Sequence, residues 1–322
     1  MKNVFRLLTL VVLFGVVLGL MMWRKPLWVQ KQATHFGLFL ARVQSNYVMT
    51  PEGRVHYYEA EPRIPGGGVP LVLIHGLGDR DESWAPMIKR LKRAGFHVYA
   101  PDLLGYGRSP KPADSDYSMA TEEKFVADFI DALGLQRPSI GGWSMGGLIV
   151  AKLALDSPDK VDRVVLYDAV GLEAGQPVFP ASIFMPQDAA QAQKLWSMME
   201  PEAAPLPQNV AREMAEHLQE NQNVIGKQFQ DISSRKDALD GVIGGLKRPL
   251  LLVWGKSDAL TPLTVGEKFH ELVPSSELDI VEGCGHLAPS LCSGRVAAAT
   301  ADFLKANPVP IGQVRTLAAM GR

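Results

Sequence analysis

The stretch that decides the fold is Gly142-Trp143-Ser144-Met145-Gly146, which has the pattern Gly-x-Ser-x-Gly. A short run, Ser139–Gly141, precedes it, and an apolar run with helical spacing, Leu148–Leu155, follows it. We therefore predict a strand, a sharp turn and a helix, with Ser144 in a strained backbone conformation at the turn. Glycine at both ends of the motif lets the strand and helix backbones pass close together. Such a turn exposes the serine hydroxyl and indicates a nucleophile.

A serine hydroxyl needs a base to take its proton and an acid to orient that base. The run Pro249–Trp254 predicts a buried parallel strand that leads to Asp258, and Leu278–Val281 predicts another strand that leads to His286. Because the carboxyl ends of parallel strands meet at one edge of a sheet, both residues are expected near Ser144. We therefore predict a catalytic triad of nucleophile, acid and base in that chain order.

The acid and the base both have alternatives. An aspartate in a strand-to-helix loop is often only a helix cap, so Asp258 has this second interpretation. Asp168 follows the predicted strand Val164–Tyr167 and is the rival position for the acid. A single histidine in a loop, such as His286, is often a surface or capping residue. The order of the motifs favours Asp258 and His286.

A tetrahedral oxyanion needs preorganised N–H donors. The amide of Met145, directly after the nucleophile, is one predicted donor. The other is the amide of Leu77, in the segment His75–Asp79 that follows the buried strand Pro70–Ile74. An ordinary tight turn is the alternative for this segment. His75 itself is interpreted as structural and not as the base.

The chain resembles the α/β-hydrolase superfamily over roughly residues 52–306. The motifs that carry the resemblance are His75–Gly78, Pro101–Ser109, Gly142–Gly146, Trp254–Asp258 and Gly283–His286. It implies an α/β fold: a mostly parallel central sheet flanked by helices, with a helical cap insertion over the active site. It also implies that Asp102 shapes the wall of the site and is not the triad acid. A serine at the elbow argues against the epoxide hydrolase and haloalkane dehalogenase branches, whose nucleophile is aspartate.

Strands are predicted near residues 55–59, 70–75, 97–101, 138–142, 162–167, 249–254 and 277–281. Helices are predicted near residues 83–94, 121–133, 145–156, 264–272 and 294–305. The alternation stops between about 171 and 246, where six prolines accompany helical patterns near 188–199, 208–221 and 223–234. We predict that this insertion is the cap of a hydrolase domain covering 52–306. Residues 307–322 form a tail with little structural signal.

Composition excludes several other functions. The 322 residues are 47% hydrophobic and 21% charged with a net charge of −1, so nothing favours nucleic-acid binding. The chain has neither a phosphate-binding loop nor a dinucleotide-binding motif, and its histidines and cysteines show no metal-ligand spacing. We predict no cofactor and no metal. Cys284 and Cys292 are expected to be free thiols, and a disulfide in an oxidising compartment is the alternative.

The amino terminus predicts a membrane anchor. Leu7–Trp23 is an uncharged, mostly apolar run of roughly 25 Å as a helix. A cleavable signal peptide is the alternative, but no small-x-small cleavage site follows. We predict a single-pass anchor over residues 1–25. Basic residues flank both ends, so the side of the membrane is left open. Apolar residues at helical spacing then predict an amphipathic connecting helix over residues 26–51, on the membrane or packed on the hydrolase domain.

The predicted function is hydrolysis of a carboxylic ester through an acyl-enzyme. The anchor, the Gly-x-Ser-Met-Gly-Gly elbow and Cys-Gly-His before the base resemble the membrane-anchored monoacylglycerol lipase group. That resemblance implies a small hydrophobic, lipid-like ester as substrate and membrane lipid as partner. A carbon–carbon bond hydrolase of the meta-cleavage type, an acyltransferase and a non-enzymatic binding protein on the same scaffold are the alternatives. The oligomeric state is left open.

Overall fold

The structure, a computed structural model, describes residues 2–64, 67–173, 175 and 177–319. Met1 of the predicted anchor, residues 174 and 176 of the predicted cap and residues 320–322 of the predicted tail lie outside this part. The described residues form nine strands. They are β1 Gln44–Thr50, β2 Gly53–Ala60, β3 Val69–Ile74, β4 Phe96–Pro101, β5 Ser139–Trp143, β6 Val164–Tyr167, β7 Leu250–Gly255, β8 Glu277–Val281 and β9 Val314–Leu317.

The helices of the described residues follow the same chain order. They are α1 Lys2–Arg24, α2 Pro26–Leu40, α3 Ala85–Arg93, α4 Met119–Ala132, α5 Met145–Asp156, α6 Ala189–Met199, α7 Gln208–Glu220, α8 Gln222–Ser233, α9 Leu263–Leu272, α10 Ala288–Leu291 and α11 Ser293–Lys305. Between β2 and α11 the elements agree with the predicted ones to within a few residues.

All nine strands form one sheet in the order β1-β2-β4-β3-β5-β6-β7-β8-β9. The pairs β1–β2 and β2–β4 are antiparallel, and every pair from β4–β3 to β8–β9 is parallel. The carboxyl ends of β3, β5, β6, β7 and β8 therefore meet at one edge of the sheet. The predicted mostly parallel sheet flanked by helices is confirmed.

The sheet has a separate apolar core on each face, because successive strand residues point to opposite sides. In β3, Val72 and Ile74 pack in the core that includes side chains of α4, α5 and α9, whereas Leu71 and Leu73 pack in the core with α3 and α11. Burial on both faces explains why β3, β6 and β7 are continuous apolar runs that could be recognised from the sequence.

The predicted connecting helix over residues 26–51 is wrong in its second half. Helix α2 ends at Leu40, and Gln44–Thr50 is strand β1, which pairs with β2 in register from Gln44↔Glu59 to Thr50↔Gly53. The short turn at 51–52 makes this hairpin, and backbone pairing with β2 outweighs the helical spacing of the apolar residues.

By length and composition, no single helix within the described residues is suited to cross a membrane. The segment Thr9–Arg24 of α1 is long and apolar enough only when it is combined with α2, Pro26–Leu40. The two helices are bent by 114° relative to each other. The membrane anchor therefore stays a proposal.

Residues between β6 and β7 contain helices α6, α7 and α8, which interrupt the strand–helix alternation. Phe184, Met185, Phe229 and other half-buried apolar side chains of this segment pack against the core on the α4–α5–α9 side of the sheet. Phe184 and Phe229 also line one cavity with Ser144, so the segment covers the strand edge where Ser144 lies. Its exact boundaries, about 171 and 246, stay a prediction.

Two expectations about the carboxyl-terminal region are wrong. The tail contributes strand β9, in which Arg315 forms a two-bond ion pair with the buried Asp279 of β8 at 2.7 and 2.6 Å. Cys284 and Cys292 form a disulfide with their Cα atoms 6.5 Å apart, within the usual range for a bridge. Folding brings the two cysteines together where a loop and a helix start meet, which their spacing does not reveal.

Candidate active site

The elbow at Ser144 is a strained turn between β5 and α5. Ser144 has φ +55° and ψ −117°, a region that non-glycine residues rarely adopt, and its N–H donates to the Tyr167 carbonyl at 2.9 Å. A Cβ atom on Gly142 would overlap the carbonyl of Gly146, and one on Gly146 would overlap the backbone of β3. The two glycines thus permit the close strand–helix crossing that holds the serine at the sheet edge.

The side chains of Asp258 and His286 are in direct contact just beyond β7 and β8. His286 Nδ1 lies 2.7 Å from Asp258 Oδ2, and both side chains are buried. Asp258 Oδ1 accepts the N–H groups of Leu260 and Thr261 at 2.8 and 2.9 Å. These bonds hold the carboxylate in one orientation, and its contact with Nδ1 leaves Nε2 as the ring nitrogen available to another partner.

Thr261 is a site residue that the sequence did not identify. Its hydroxyl donates to Asp258 Oδ2 at 2.6 Å and lies 3.1 Å from His286 Nδ1. It follows Asp258 by three residues, in the segment Asp-Ala-Leu-Thr. A threonine or serine three residues after the acid is the available signal, but this spacing is too common in loops to be used alone.

Asp168, the rival acid, makes no hydrogen bond with His286 among the described residues. Its Oδ1 accepts the Gly255 N–H at 2.7 Å, while its Oδ2 is buried without a partner. Burial, and then the nearby charge of Asp258, raises the pKa of Asp168 well above its usual value. The site therefore favours the uncharged form of the Asp168 side chain.

Ser144 and His286 lie in the same region of the structure. Within the described residues, no hydrogen bond joins their side chains. Trp143 connects them: its Nε1 donates to the His286 carbonyl at 2.7 Å, and the two rings lie 5.4 Å apart. Ser144 and Thr261 line the same cavity. A serine–histidine bond in this kind of site often tightens only when substrate is present.

The loop after β3 lies directly against the elbow. A Cβ atom on Gly76 would come within 3.3 Å of Ser144 Cβ. Within the described residues, the N–H groups of Leu77 and Met145 donate to no protein atom, whereas the next amide, Gly78, donates to Tyr106 Oη at 3.2 Å. The structure thus leaves both predicted oxyanion donors available beside Ser144.

His75 and Asp102 lie behind this loop. His75 Nε2 accepts the Leu103 N–H at 3.0 Å, and complete burial lowers the pKa of His75. Asp102 accepts the N–H groups of Asp81 and Arg108 at 3.0 and 2.9 Å. These contacts support the prediction that both residues are structural, because each fixes backbone next to the site and neither lines the cavity among the described residues.

His56, Asp81 and Asp102 form a buried cluster whose donor atoms are close enough to hold a metal ion. His56 Nδ1 lies 2.7 Å from Asp81 Oδ2 and 3.1 Å from Asp102 Oδ2. Burial lowers the pKa of His56, but the contacts of its ring with the carboxylates of Asp102 and Asp81 outweigh burial and raise that pKa. The ring Nδ1 is hydrogen-bonded to Asp102 Oδ2, whereas neither carboxylate oxygen of Asp81 has a hydrogen-bond partner among the described residues.

Ser144 opens into a cavity of about 140 Å³ under the cap. Its wall is mostly apolar, and the described apolar side chains that line it include Leu77, Met145, Leu148, Val170, Leu172, Phe179, Phe184, Phe229, Ile232 and Leu260. Arg235 is the one cationic side chain among the described lining residues, and it pairs with Glu173 at 3.1 Å. The cavity is thus suited to an uncharged, apolar group.

Comparisons with known proteins agree with this architecture. The family model described as "alpha/beta hydrolase fold" matches residues 69–212. Lipase 1 of Psychrobacter immobilis is 27% identical over 229 residues, which cover 68% of this chain and 72% of the lipase. A 2-hydroxy-6-oxononadienedioate/2-hydroxy-6-oxononatrienedioate hydrolase of Paraburkholderia phymatum is 26% identical over 288 residues, covering 81% and 95% of the two chains.

A solved structure with similar architecture is described as a membrane phospholipase A and a bacterial virulence factor. It is 26% identical, with a TM-score of 0.76 over 94% of this chain and 98% of the other. The likeness extends over nearly the whole of both chains, so it includes the segment between β6 and β7 as well as the sheet.

Proposed function

We propose that this protein, a hydrolase with the α/β-hydrolase fold, cleaves carboxylic esters through an acyl-enzyme on Ser144. The observation that carries the proposal is the 2.7 Å contact of His286 Nδ1 with Asp258 Oδ2 at the edge of the cavity that Ser144 lines. A buried carboxylate on Nδ1 leaves Nε2 to act as a base toward a serine.

The reaction then has two steps. As Ser144 Oγ attacks the ester carbonyl, its proton passes to His286 Nε2, and Asp258 stabilises the imidazolium. The Met145 and Leu77 amides donate to the oxyanion of the tetrahedral intermediate. His286 then gives its proton to the leaving alcohol. A water molecule, activated by His286, hydrolyses the acyl-enzyme, releases the acid and restores Ser144.

We propose that the substrate is a lipid-like ester such as a monoacylglycerol. The mostly apolar cavity wall supports an acyl chain, and the pairing of Arg235 with Glu173 leaves no free cation among the described lining residues for a substrate carboxylate. The names of the Psychrobacter lipase and the membrane phospholipase A point in the same direction. The similarity to the Paraburkholderia hydrolase supports hydrolysis of a carbon–carbon bond as the second candidate function.

A substrate panel separates these candidates. We expect monoacylglycerols to be hydrolysed with a kcat/KM about 100-fold or more above that of a carboxylate-bearing meta-cleavage dienoate, because a buried carboxylate without a cation is strongly disfavoured. Titration of released fatty acid and loss of dienoate absorbance measure the two reactions, with Ser144→Ala as background. Turnover of the dienoate without turnover of any ester would favour the second candidate. An acyltransferase would instead pass the acyl group to an added alcohol.

We further propose that α1 and α2 anchor the protein to a membrane. Large apolar side chains along these helices are exposed, among them Leu10, Val11, Leu13, Val16, Val17, Leu20, Met22, Trp23, Phe36, Phe39 and Leu40. Arg24 and Lys25 lie where the two helices meet, at the position where a basic residue contacts lipid headgroups. An anchor would bring the cavity close to its lipid substrate.

Replacing two exposed apolar residues of α1 by arginine, Val16→Arg with Leu20→Arg, tests the anchor. Each arginine costs about 2.5–3.5 kcal/mol in the centre of a bilayer, so the variant is expected to move from the membrane to the soluble fraction after alkaline extraction. Both side chains are more than half exposed, so the fold should be kept. Equal labelling of Ser144 by a fluorophosphonate is the control, and an unchanged membrane fraction would count against the anchor.

A further inference from the structure

The loop that carries His286 is bonded to the cap at three consecutive amides. Gly285 N–H donates to Glu200 Oε2 at 3.0 Å, His286 N–H donates to the Met199 carbonyl at 2.7 Å, and Leu287 N–H donates to Glu200 Oε1 at 2.7 Å. One carboxylate thus spans the base, with one oxygen on each side of it. Bonds from amides to a carboxylate are stronger than bonds between neutral groups, so this is a firm attachment.

The packing here requires glycine before the base. A Cβ atom on Gly285 would overlap the Met199 carbonyl and come within 3.1 Å of Glu200 Cδ. Glu200 itself is only 6% exposed. A buried carboxylate is costly unless its oxygens accept hydrogen bonds, and the amides on either side of His286 supply them.

The same end of helix α6 also contacts the loop of the proposed acid. The Met198 carbonyl accepts the N–H of Ala259, the residue after Asp258, at 3.1 Å. Successive residues of the cap are therefore bonded to both loops, the one with the acid and the one with the base. This end of the cap cannot move away from the sheet without breaking its bonds to the loops of Asp258 and His286.

We propose that Glu200 is a positioning residue, which holds the backbone around His286 so that its Nε2 meets the Ser144 hydroxyl. This role rests on the proposed function of His286 as the base. Glu200 does not line the cavity among the described residues. Its loss should therefore slow the chemical step while leaving substrate binding nearly unchanged, because small misplacements of a base are costly in rate.

Glu213 offers a matched control in the same cap. It is also a buried glutamate, 9% exposed, and its carboxylate also accepts two backbone N–H groups, those of Leu27 and Trp28, at 2.7 and 2.9 Å. Those amides belong to helix α2 and not to a loop of the site. Glu200→Ala and Glu213→Ala therefore remove equivalent bonds, and only the first removes them from His286.

The test compares the full-length protein in detergent with its variants, using the rate of fluorophosphonate labelling and the kcat and KM for a soluble p-nitrophenyl ester. We expect Glu200→Ala to lower the labelling rate and kcat by about 10- to 100-fold with KM within about twofold. Glu200→Gln keeps one acceptor and should lose less, and it serves if the alanine variant does not fold. Glu213→Ala should label at the wild-type rate.

Three results would overturn the proposal. Glu200→Ala and Glu200→Gln could both label at the wild-type rate, Glu213→Ala could be slowed as much as Glu200→Ala, or the loss could lie in KM alone. Labelling of the wild type and of Ser144→Ala in the same assay separates failure of the positioning role from failure of the proposed function. A wild type that is not labelled at Ser144 contradicts both proposals. Labelling of Ser144 that does not depend on Glu200 contradicts only the positioning role.

Discussion

Replacing Ser144 by alanine is expected to lower ester hydrolysis by about 10⁴- to 10⁶-fold. The hydroxyl is the proposed nucleophile, so its removal leaves only the oxyanion donors and substrate binding to accelerate direct attack by water. The fold should be kept, because Ser144 Oγ makes no side-chain hydrogen bond with His286 that the variant would lose. Initial rates with a monoacylglycerol and with a p-nitrophenyl ester measure the effect.

Ser197→Ala is the control for this variant. Ser197 lies on α6 of the cap, and its hydroxyl donates only to the Lys194 carbonyl one turn earlier at 2.8 Å. Its loss should leave hydrolysis within about twofold of wild type, since surface substitutions of this kind change little. More than a tenth of wild-type activity in purified Ser144→Ala would be inconsistent with Ser144 as the nucleophile.

The second large effect separates the two aspartates near the base. We expect Asp258→Asn to lower kcat by about 10³- to 10⁴-fold. The asparagine can present an N–H to His286 Nδ1, and the ring would then carry its proton on Nε2, where it cannot accept the serine proton. Steady-state kinetics at neutral pH, together with a thermal unfolding curve for each variant, measure the effect.

Asp168→Asn should be nearly silent by comparison, with activity within about tenfold of wild type. Burial and the charge of Asp258 raise the pKa of Asp168 and so favour its uncharged form, which an amide resembles. Asparagine can keep the acceptor for Gly255 N–H. If Asp168→Asn lost activity and Asp258→Asn kept it, the assignment of the acid would have to be reversed.

The central part of the fold follows from local patterns in the sequence. Buried parallel strands are often continuous apolar runs, and β3, β6 and β7 were visible as such. Strands β5 and β8 contain glycine or acidic residues and were predicted as short strands before the motifs of Ser144 and His286. The residues after these strands share one edge of the sheet whatever the details of packing. For that reason Ser144, Asp258 and His286 could be proposed together before any geometry was known, although their catalytic roles stay predictions.

What was missed depends on contacts between distant parts of the chain. Tyr47 of strand β1 continues the helical spacing of the apolar residues before it, but Gln44–Thr50 is a strand because it pairs with the backbone of β2. Strand β9 forms beside β8, where Arg315 meets a buried acidic side chain. Glu200 is 85 and 87 residues from the two N–H groups whose hydrogen bonds it accepts, and no pattern near Glu200 or near His286 indicates these bonds.

The most direct test of the account is to identify the residue that a fluorophosphonate modifies in the full-length protein. The reagent reacts with a serine that an adjacent base has activated. Peptide mapping by mass spectrometry is expected to find one stoichiometric adduct on Ser144, with parallel loss of ester hydrolysis, and no adduct in Ser144→Ala. An adduct on another residue, or complete loss of hydrolysis while Ser144 stays unmodified, would contradict the proposed mechanism.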